Sequence, residues 1–341
     1  MQRFVPVRAY FEPRSVEYPL GKKLYNQLTD MGVSVRMTSS HNRVTGLPGK
    51  SSVEAYCQAK QTLVVGVRQI RDFATCKPSA HYQIPLATSC PGMCEYCYLA
   101  TTLGKRPYLR VYVNIEEILE KAQKYIHERQ PEITVFEGAA TSDPIPTEYL
   151  TGLLYRTIEF FGLQPNAKFR FVTKHTDIDS LLTARHNGNT RFRFSLNTQT
   201  AISRYEHATP SLEKRVEAAV KVAEAGYPLG FIIAPIFFAP GWQEEYGGLI
   251  TDLAVELPES AKRNLTFEFI THRFTKRAKA TITEVFPNTQ LPLAEDERKY
   301  KFGQFGYGKY IYDPDTMEEI KSFLVRRLAE RFPAAKVEYF V

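Results

Sequence analysis

The sequence predicts an α/β fold: a partial (β/α)6 parallel barrel with a small N-terminal α/β extension and a C-terminal β-hairpin plus helix. Three observations predict it. From about residue 80, apolar strand-length runs alternate with helical segments, the pattern of a parallel sheet with right-handed crossovers. The count is about six such units, fewer than a closed eightfold barrel requires. Finally, 341 residues of 43% hydrophobic composition suffice for one large core, and no repeat or low-complexity tract points to disorder. A doubly wound sheet is the alternative arrangement of the same units.

Residues 1–80 form the extension. "RFVPVRAYFE" and "TLVVGVRQI" read as strands, "PLGKKLYNQLTDMG" as a helix closed by Gly32, and "TSSHNRVTGLPGKSS" as a polar loop. Residues 81–290 form the barrel. "YQIPLATSC" is a strand leading into a cysteine-rich loop. Asn114 opens a helix that runs to about His127, with Glu117 completing a capping box. "EITVFEGA" is the next strand. "PTEYLTGLLYRTIEFFG" is the next helix, with Leu150, Leu153, Leu154, Ile158 and Phe161 on one face. "AKFRFVTK", "TRFRFSLN", "PLGFIIAPI" and "LTFEFIT" are further strands separated by helical segments. A helix between Thr209-Pro210 and Gly226 carries Leu212, Val216, Ala219, Val220 and Ala223 as its apolar side. Residues 291–341 close the chain. "ERKYKFGQFGYGKYIYD" reads as a hairpin that alternates aromatic and basic residues, and Asp313-Pro314 starts a last helix.

Lys plus Arg number 44 against 37 Asp plus Glu, a net charge of +7 that admits an anionic partner such as nucleic acid without requiring one. The N-terminus lacks the apolar stretch of a signal peptide. The longest apolar run, Leu229 to Trp242, is too short for a bilayer and is interrupted by Pro235 and Pro240. The expectation is a cytoplasmic protein without membrane contact.

Cys90, Cys94 and Cys97 fall within eight residues, in a chain of five cysteines. An odd number with three clustered speaks for metal rather than disulfides. Tetrahedral zinc needs a fourth ligand, for which Cys76 and His81 are the nearest candidates. An iron–sulfur cluster held by three cysteines instead leaves one iron open to an exogenous ligand. Cys57 and Cys76 read as packed free thiols, and the seven histidines show no metal spacing.

The Cys-x3-Cys-x-aromatic-Cys pattern, with Tyr96 as the aromatic, resembles the radical S-adenosylmethionine enzymes. "FVPVRAYFEPRSVEYPLG", "ATSCPGMCEYCYL", "FEGAATSDP" and "KFGQFGYGKY" extend the likeness along the whole chain to the spore photoproduct lyase family. The resemblance implies a [4Fe-4S] cluster on Cys90, Cys94 and Cys97, with S-adenosylmethionine on the open iron. It implies a 5′-deoxyadenosyl radical that takes hydrogen from a methylene-bridged thymine dimer in double-stranded DNA, in the spore core. Tyr96 and Tyr98 match tyrosines that relay the radical and contact the cosubstrate. Ser142, Lys174 and Ser195 follow strand ends and suit S-adenosylmethionine, and Asp143 suits the cosubstrate or the substrate. An external donor of flavodoxin or ferredoxin type and a monomeric state complete the expectation.

Ala140 departs from this pattern, because the family has there the cysteine that returns a hydrogen atom. The expectation is a chain that initiates cleavage and quenches the product radical poorly. A radical enzyme acting on RNA or protein, or a nucleic-acid-binding protein with a structural metal site, is the alternative. For DNA, the hairpin offers Arg298, Lys299, Tyr300, Lys301, Tyr307, Lys309 and Tyr310, which can pair with phosphates or stack. Arg273 lies in a second basic run, "THRFTKRAK".

Overall fold

The computed structural model describes residues 3–302 and 308–341. The chain divides into two compact units: Met1–Gly92 with Thr102–Arg191, and Met93–Thr101 with Phe192–Val341. In chain order it runs β1 (Arg8–Phe11), α1 (Pro19–Asp30), β2 (Ser34–Met37), α2 (Ser52–Lys60), β3 (Thr62–Gly66), β4 (Thr75–Cys76), β5 (Ala80–Gln83) and β6 (Ala87–Thr88). Next come β7 (Met93–Cys94), α3 (Tyr98–Thr102), β8 (Leu109–Tyr112), α4 (Ile115–Arg129), β9 (Thr134–Glu137), α5 (Ile145–Thr151), α6 (Leu153–Gly162) and β10 (Ala167–Thr173). β11 (Thr190–Leu196), α7 (Gln199–Tyr205), β12 (Glu206–His207), α8 (Leu212–Glu224), β13 (Leu229–Ile236), α9 (Trp242–Glu256) and α10 (Glu259–Lys262) follow. The chain ends with β14 (Thr266–Thr271), α11 (Lys276–Val285), β15 (Lys299–Phe302), β16 (Gly308–Ile311), α12 (Pro314–Arg331) and β17 (Lys336–Phe340).

In the first unit, β5, β9 and β10 pair in parallel, with β4 antiparallel at the edge. In the second, β11, β13, β14 and β17 are parallel. The six expected barrel strands are therefore all present and parallel within their own unit. β9, β10, β11, β13 and β14 are buried on both faces, whereas β5 buries only Ala80; Glu137, Arg170, Arg193 and Glu268 are charged residues buried within those strands. β2, β1, β3 and β8 form a second parallel sheet, with β6 antiparallel to β8. Residues 1–80 thus share a sheet with later strands, so the chain does not divide at residue 80.

Several elements differ from expectation for identifiable reasons. "YQIPLATSC" breaks into β5 and β6 around Pro85, which has no N–H for a ladder. The single helix after β9 becomes α5 and α6, split at Gly152 with φ +65°. The Glu148 carboxylate caps the restart, accepting from Leu154 N and Tyr155 N at 2.8 Å each. Its five expected apolar residues are all buried. Asn114 does precede α4, but its side chain clamps the Arg68 backbone (2.8 and 2.9 Å) and bonds Glu117 (2.8 Å) instead of capping the helix.

α8 starts after Ser211 and buries Arg215, Ala218, Ala219 and Val222. Of the apolar side read from sequence, only Ala219 is buried; a charged residue occupies the centre of the core face. β10 is followed by a 3-10 turn (Asp179–Leu181) in place of a helix. β2, α2 and β17 are additional elements. Gly303, Phe305, Gly306 and Tyr307 of the hairpin lie outside the described residues.

Candidate functional site

The cysteine loop begins with a constrained backbone. Ser89, buried, has φ +66°, a left-handed conformation rare for a residue with a Cβ. It is held there by Ser89 N to Thr141 O (2.7 Å), Asp143 N to Ser89 O (3.3 Å) and Ser89 Oγ to Pro107 O (2.7 Å). The next residue is Cys90, partly exposed, whose carbonyl accepts from Lys60 Nζ at 2.9 Å. Cys94 is buried in β7, and a turn bonds Cys97 N to Cys94 O at 3.1 Å. None of the five cysteines is in a disulfide. Among the described residues no three His, Cys, Asp or Glu side chains converge on a single ion. A cubane makes no such demand, since each cysteine ligates a different iron. His81, the nearest histidine for a zinc site, accepts from Val135 N at 2.9 Å and serves the sheet.

A buried ionic network holds the second half of the loop. β7 pairs antiparallel with β12, placing Glu206 opposite Cys94 and His207 opposite Met93. Glu95 meets His207 Nε2 at 2.7 Å and accepts from the Thr289 hydroxyl. The Tyr96 hydroxyl donates to Glu206, whose other oxygen meets Arg215 Nη2 at 2.6 Å. Arg215 also donates to Thr209 Oγ1 (2.9 Å), Pro210 O (3.0 Å) and Ser195 O (3.1 Å). Burial, then the Glu206 charge and Cys94, holds the Tyr96 phenol well above the usual tyrosine pKa. Tyr96 is therefore a neutral phenol with its hydrogen in place. Tyr98, at the start of α3, is 60% exposed. Ser195 is buried at the end of β11.

Ser142 and Asp143, beyond β9, divide their work. The Ser142 hydroxyl is buried and has no hydrogen-bond partner among the described residues, a polar group that a bound polar ligand would satisfy. Asp143 is already engaged: it accepts from Thr173 Oγ1 (2.8 and 2.9 Å), Lys174 N (2.9 Å) and Ile145 N (3.2 Å). It ties the end of β9 to the end of β10 and so positions Lys174, which is partly exposed. Ala140 is partly buried beside Ala139, whose N–H donates to Glu137 Oε1 at 3.1 Å. Glu137 Oε2 accepts from Ser79 Oγ at 3.2 Å. One buried carboxylate thus connects the backbone next to Ala140 with Ser79 in the β4–β5 turn, three residues after Cys76.

The hairpin strand Lys299–Phe302 is exposed along its length, Phe302 at 73%. Tyr310, opposite Tyr300 in the pairing and in edge contact with its ring (5.2 Å), is buried and stacked on Phe274 (5.3 Å between centroids). Arg298 stacks on Tyr312 (3.7 Å) and donates to His272 O (2.9 Å). Burial and the Arg298 charge push His272 down to about 3, so the pair holds a single positive charge. Packing, not solvent, receives Tyr310 and Arg298, which corrects their grouping with the exposed residues. Lys309, partly exposed, has its pKa lowered by burial and by the like charge of Arg273.

Lys60, Glu206 and Arg215 carry no signal in the sequence that sets them apart from ordinary surface charges, and Cys76 reads there as a packed free thiol.

The family model for spore photoproduct lyase matches residues 4–341. The chain is 51% identical to the spore photoproduct lyase of Bacillus subtilis (strain 168) over 337 residues, 99% of this chain and 98% of that protein. A solved spore photoproduct lyase complexed with dinucleoside spore photoproduct is 50% identical and matches end to end with a TM-score of 0.98. A second, 51% identical and with the same TM-score, has cysteine changed to alanine at its position 140 and serine to cysteine at its position 76, with bound AdoMet and dinucleoside spore photoproduct. The likeness carries the partial barrel expected from the sequence. With both the family model and relatives of this identity spanning it, the chain belongs to the spore photoproduct lyase family.

Proposed function

We propose that this chain repairs the methylene-bridged thymine dimer in DNA, as a radical S-adenosylmethionine lyase. The observation that carries the reading is the end-to-end likeness to lyases solved with AdoMet and the lesion, joined to the three-cysteine loop present here. Cys90, Cys94 and Cys97 would hold the cluster, and the unpartnered Ser142 hydroxyl would meet the cosubstrate. Lys174 and Ser195 are assigned to the same ligand. When bound, the cluster and cosubstrate supply a 5′-deoxyadenosyl radical that takes a hydrogen atom from the lesion and lets the bridge fragment. The chain's own work is to fix the loop, keep Tyr96 protonated and return a hydrogen atom to the product. A lesion-containing oligonucleotide, incubated anaerobically with reduced protein and S-adenosylmethionine, should yield repaired thymines and 5′-deoxyadenosine. Stoichiometric zinc with no cosubstrate cleavage would sink the reading.

The hydrogen donor is assigned to Cys76. Ala140 has no weak bond to give, whereas a thiol transfers its hydrogen atom to a carbon radical and becomes a thiyl radical. The relative with alanine and cysteine at its positions 140 and 76 supports this choice, as does the Glu137 link between the two segments here. Tyr96 and Tyr98 are the tyrosines through which the thiyl radical is returned, each giving a hydrogen atom in turn. This replaces the expectation of poor quenching. Cys76→Ser should keep 5′-deoxyadenosine formation while repaired product falls at least tenfold, and adding Ala140→Cys should restore it. Parental repair by Cys76→Ser would refute the assignment.

For DNA, we assign duplex contact to Lys299, Tyr300, Lys301 and Phe302, with Lys309 and Arg273 beside them. A base inside a duplex must be extruded to reach a barrel centre, and exposed aromatics between lysines suit that task. An external one-electron donor, a monomeric state and a place in the spore core complete the proposal. Among the described residues no helix is long and apolar enough to cross a membrane.

A further inference from the structure

Lys60 ends α2 and is 2% exposed, among the largest fully buried side chains of the molecule. Its ammonium donates to the carbonyl of Cys90 at 2.9 Å and lies 5.3 Å from the centre of the Tyr56 ring. Among the described residues no Asp or Glu pairs with it. A buried ammonium facing only a neutral carbonyl and a ring is expensive, because neither replaces the water it has lost as an anion would. The helix C-terminus beside it contributes only a partial negative charge. The geometry aims this cation at the backbone of a cluster ligand.

We infer that Lys60 is the buried counter-cation of the iron–sulfur cluster and that its charge raises the cluster's reduction potential. The inference rests on Cys90 as a cluster ligand. A cubane with three thiolates is anionic, and it becomes more so by one charge when an electron arrives from the external low-potential donor. No proton moves in that step. A fixed positive charge near the cluster favours the reduced form, the lever by which nearby charge and hydrogen bonds set cluster potentials. Lys60 is thus a tuning residue that acts through the Cys90 backbone.

The competing account is a structural clamp, in which the hydrogen bond to Cys90 O is all that matters. Lys60→Gln keeps a donor and removes the charge; Lys60→Met removes both. The measurement is an anaerobic redox titration of the reconstituted proteins followed by electron paramagnetic resonance, with iron content measured alongside. Both variants should titrate lower than the parent, with the reduced-to-oxidised ratio at a fixed potential falling about tenfold, or about 59 mV for a one-electron couple. The metal-free proteins give a second readout: Lys60→Met should melt higher than the metal-free parent, because it removes a buried charge that then has no anion. Lys60→Gln titrating with the parent would overturn the inference, as would a metal-free Lys60→Met that melts lower. Should a variant take up no iron, the metal-free melt decides. A parent that binds no iron would overturn instead the reading of Cys90 as a ligand.

Discussion

Replacing Arg215 by methionine tests how the cysteine loop is held. The Arg215 and Glu206 side chains are both 0% exposed and 2.6 Å apart. Methionine has a comparable stem, so the change removes mainly the guanidinium and its bonds to Glu206, Thr209, Pro210 and Ser195. Taking one partner from a buried ion pair costs about 3–5 kcal/mol, most of it the penalty on the charge left behind. With an unfolding entropy of about 2.1 cal/mol/K per residue over this length, about 4 kcal/mol lowers Tm by about 6 °C. The assay is thermal unfolding of the metal-free protein by circular dichroism. Adding Glu206→Gln keeps an acceptor for Tyr96 and removes the stranded charge, so the double variant should recover at least half of the loss. A single variant within about 1 °C of the parent, or a double variant no better than the single, would show that the pair does not anchor the loop.

Other expectations follow from equally local features. A Cβ on Gly230 would lie 2.5 Å from Thr266 Oγ1 and 3.2 Å from Arg193 Cγ. Gly230→Ala should therefore strain the buried Arg193–Glu268 pair (2.9 Å) and destabilise by about 2–3 kcal/mol, while Gly152→Ala, with open space at its Cβ, should cost only about 1 kcal/mol for its positive φ; equal melting temperatures would contradict the contrast. Burial raises the Glu148 carboxyl from 4.5 to about 7, so the folded protein holds a proton that the unfolded chain releases between those values. This residue's contribution to stability then falls as pH rises through that window, by about 3 kcal/mol at most. Urea titrations of Glu148→Gln against the parent should show the variant gaining relative stability from pH 4.5 to 7, and a pH-independent difference would refute the cause. On the hairpin, Lys299→Ala with Lys301→Ala should reduce the salt slope of duplex binding by about two, and an unchanged slope would remove these lysines from the interface.

The parts of this molecule that were legible in its sequence share one property: the signal is local. Three cysteines in eight residues point to a metal centre without help from the fold. β9, β10, β11, β13 and β14 could be read because short runs rich in Phe, Val, Ile and Thr recur between helical segments, although Glu137, Arg170, Arg193 and Glu268 are buried within them. The apolar face of α6 was legible from its helical spacing. Reading failed where a partner brought in by the fold reverses a residue's ordinary preference. The apolar side assigned to α8 missed because Arg215, nominally a surface residue, is buried against Glu206. Tyr310 and Arg298 looked like DNA ligands until Phe274 and Tyr312 appeared beneath them.

Those failures have a common physical content. Along the loop from Cys90 to Cys97, buried polar groups fix the backbone and side chains: Lys60 on the Cys90 carbonyl, Glu206 and Arg215 behind Tyr96, with the half-exposed His207 on Glu95. Apolar packing would stabilise the same segment but tolerate small displacements, because dispersion is non-directional. Hydrogen-bonded charges in a low-dielectric interior do not, since losing a partner costs far more than losing a contact. On the proposed reading, a loop that presents three thiolates to one cluster, with a neutral phenol in the same loop, needs the second kind of support. On the same reading, charge under the loop also sets the field that the cluster's electron enters, so one set of residues serves geometry and potential together. That coupling is why conservative replacements behind the loop should move redox behaviour and stability at the same time, whereas replacements in the apolar cluster of Phe11, Leu24 and Val65 should move stability alone.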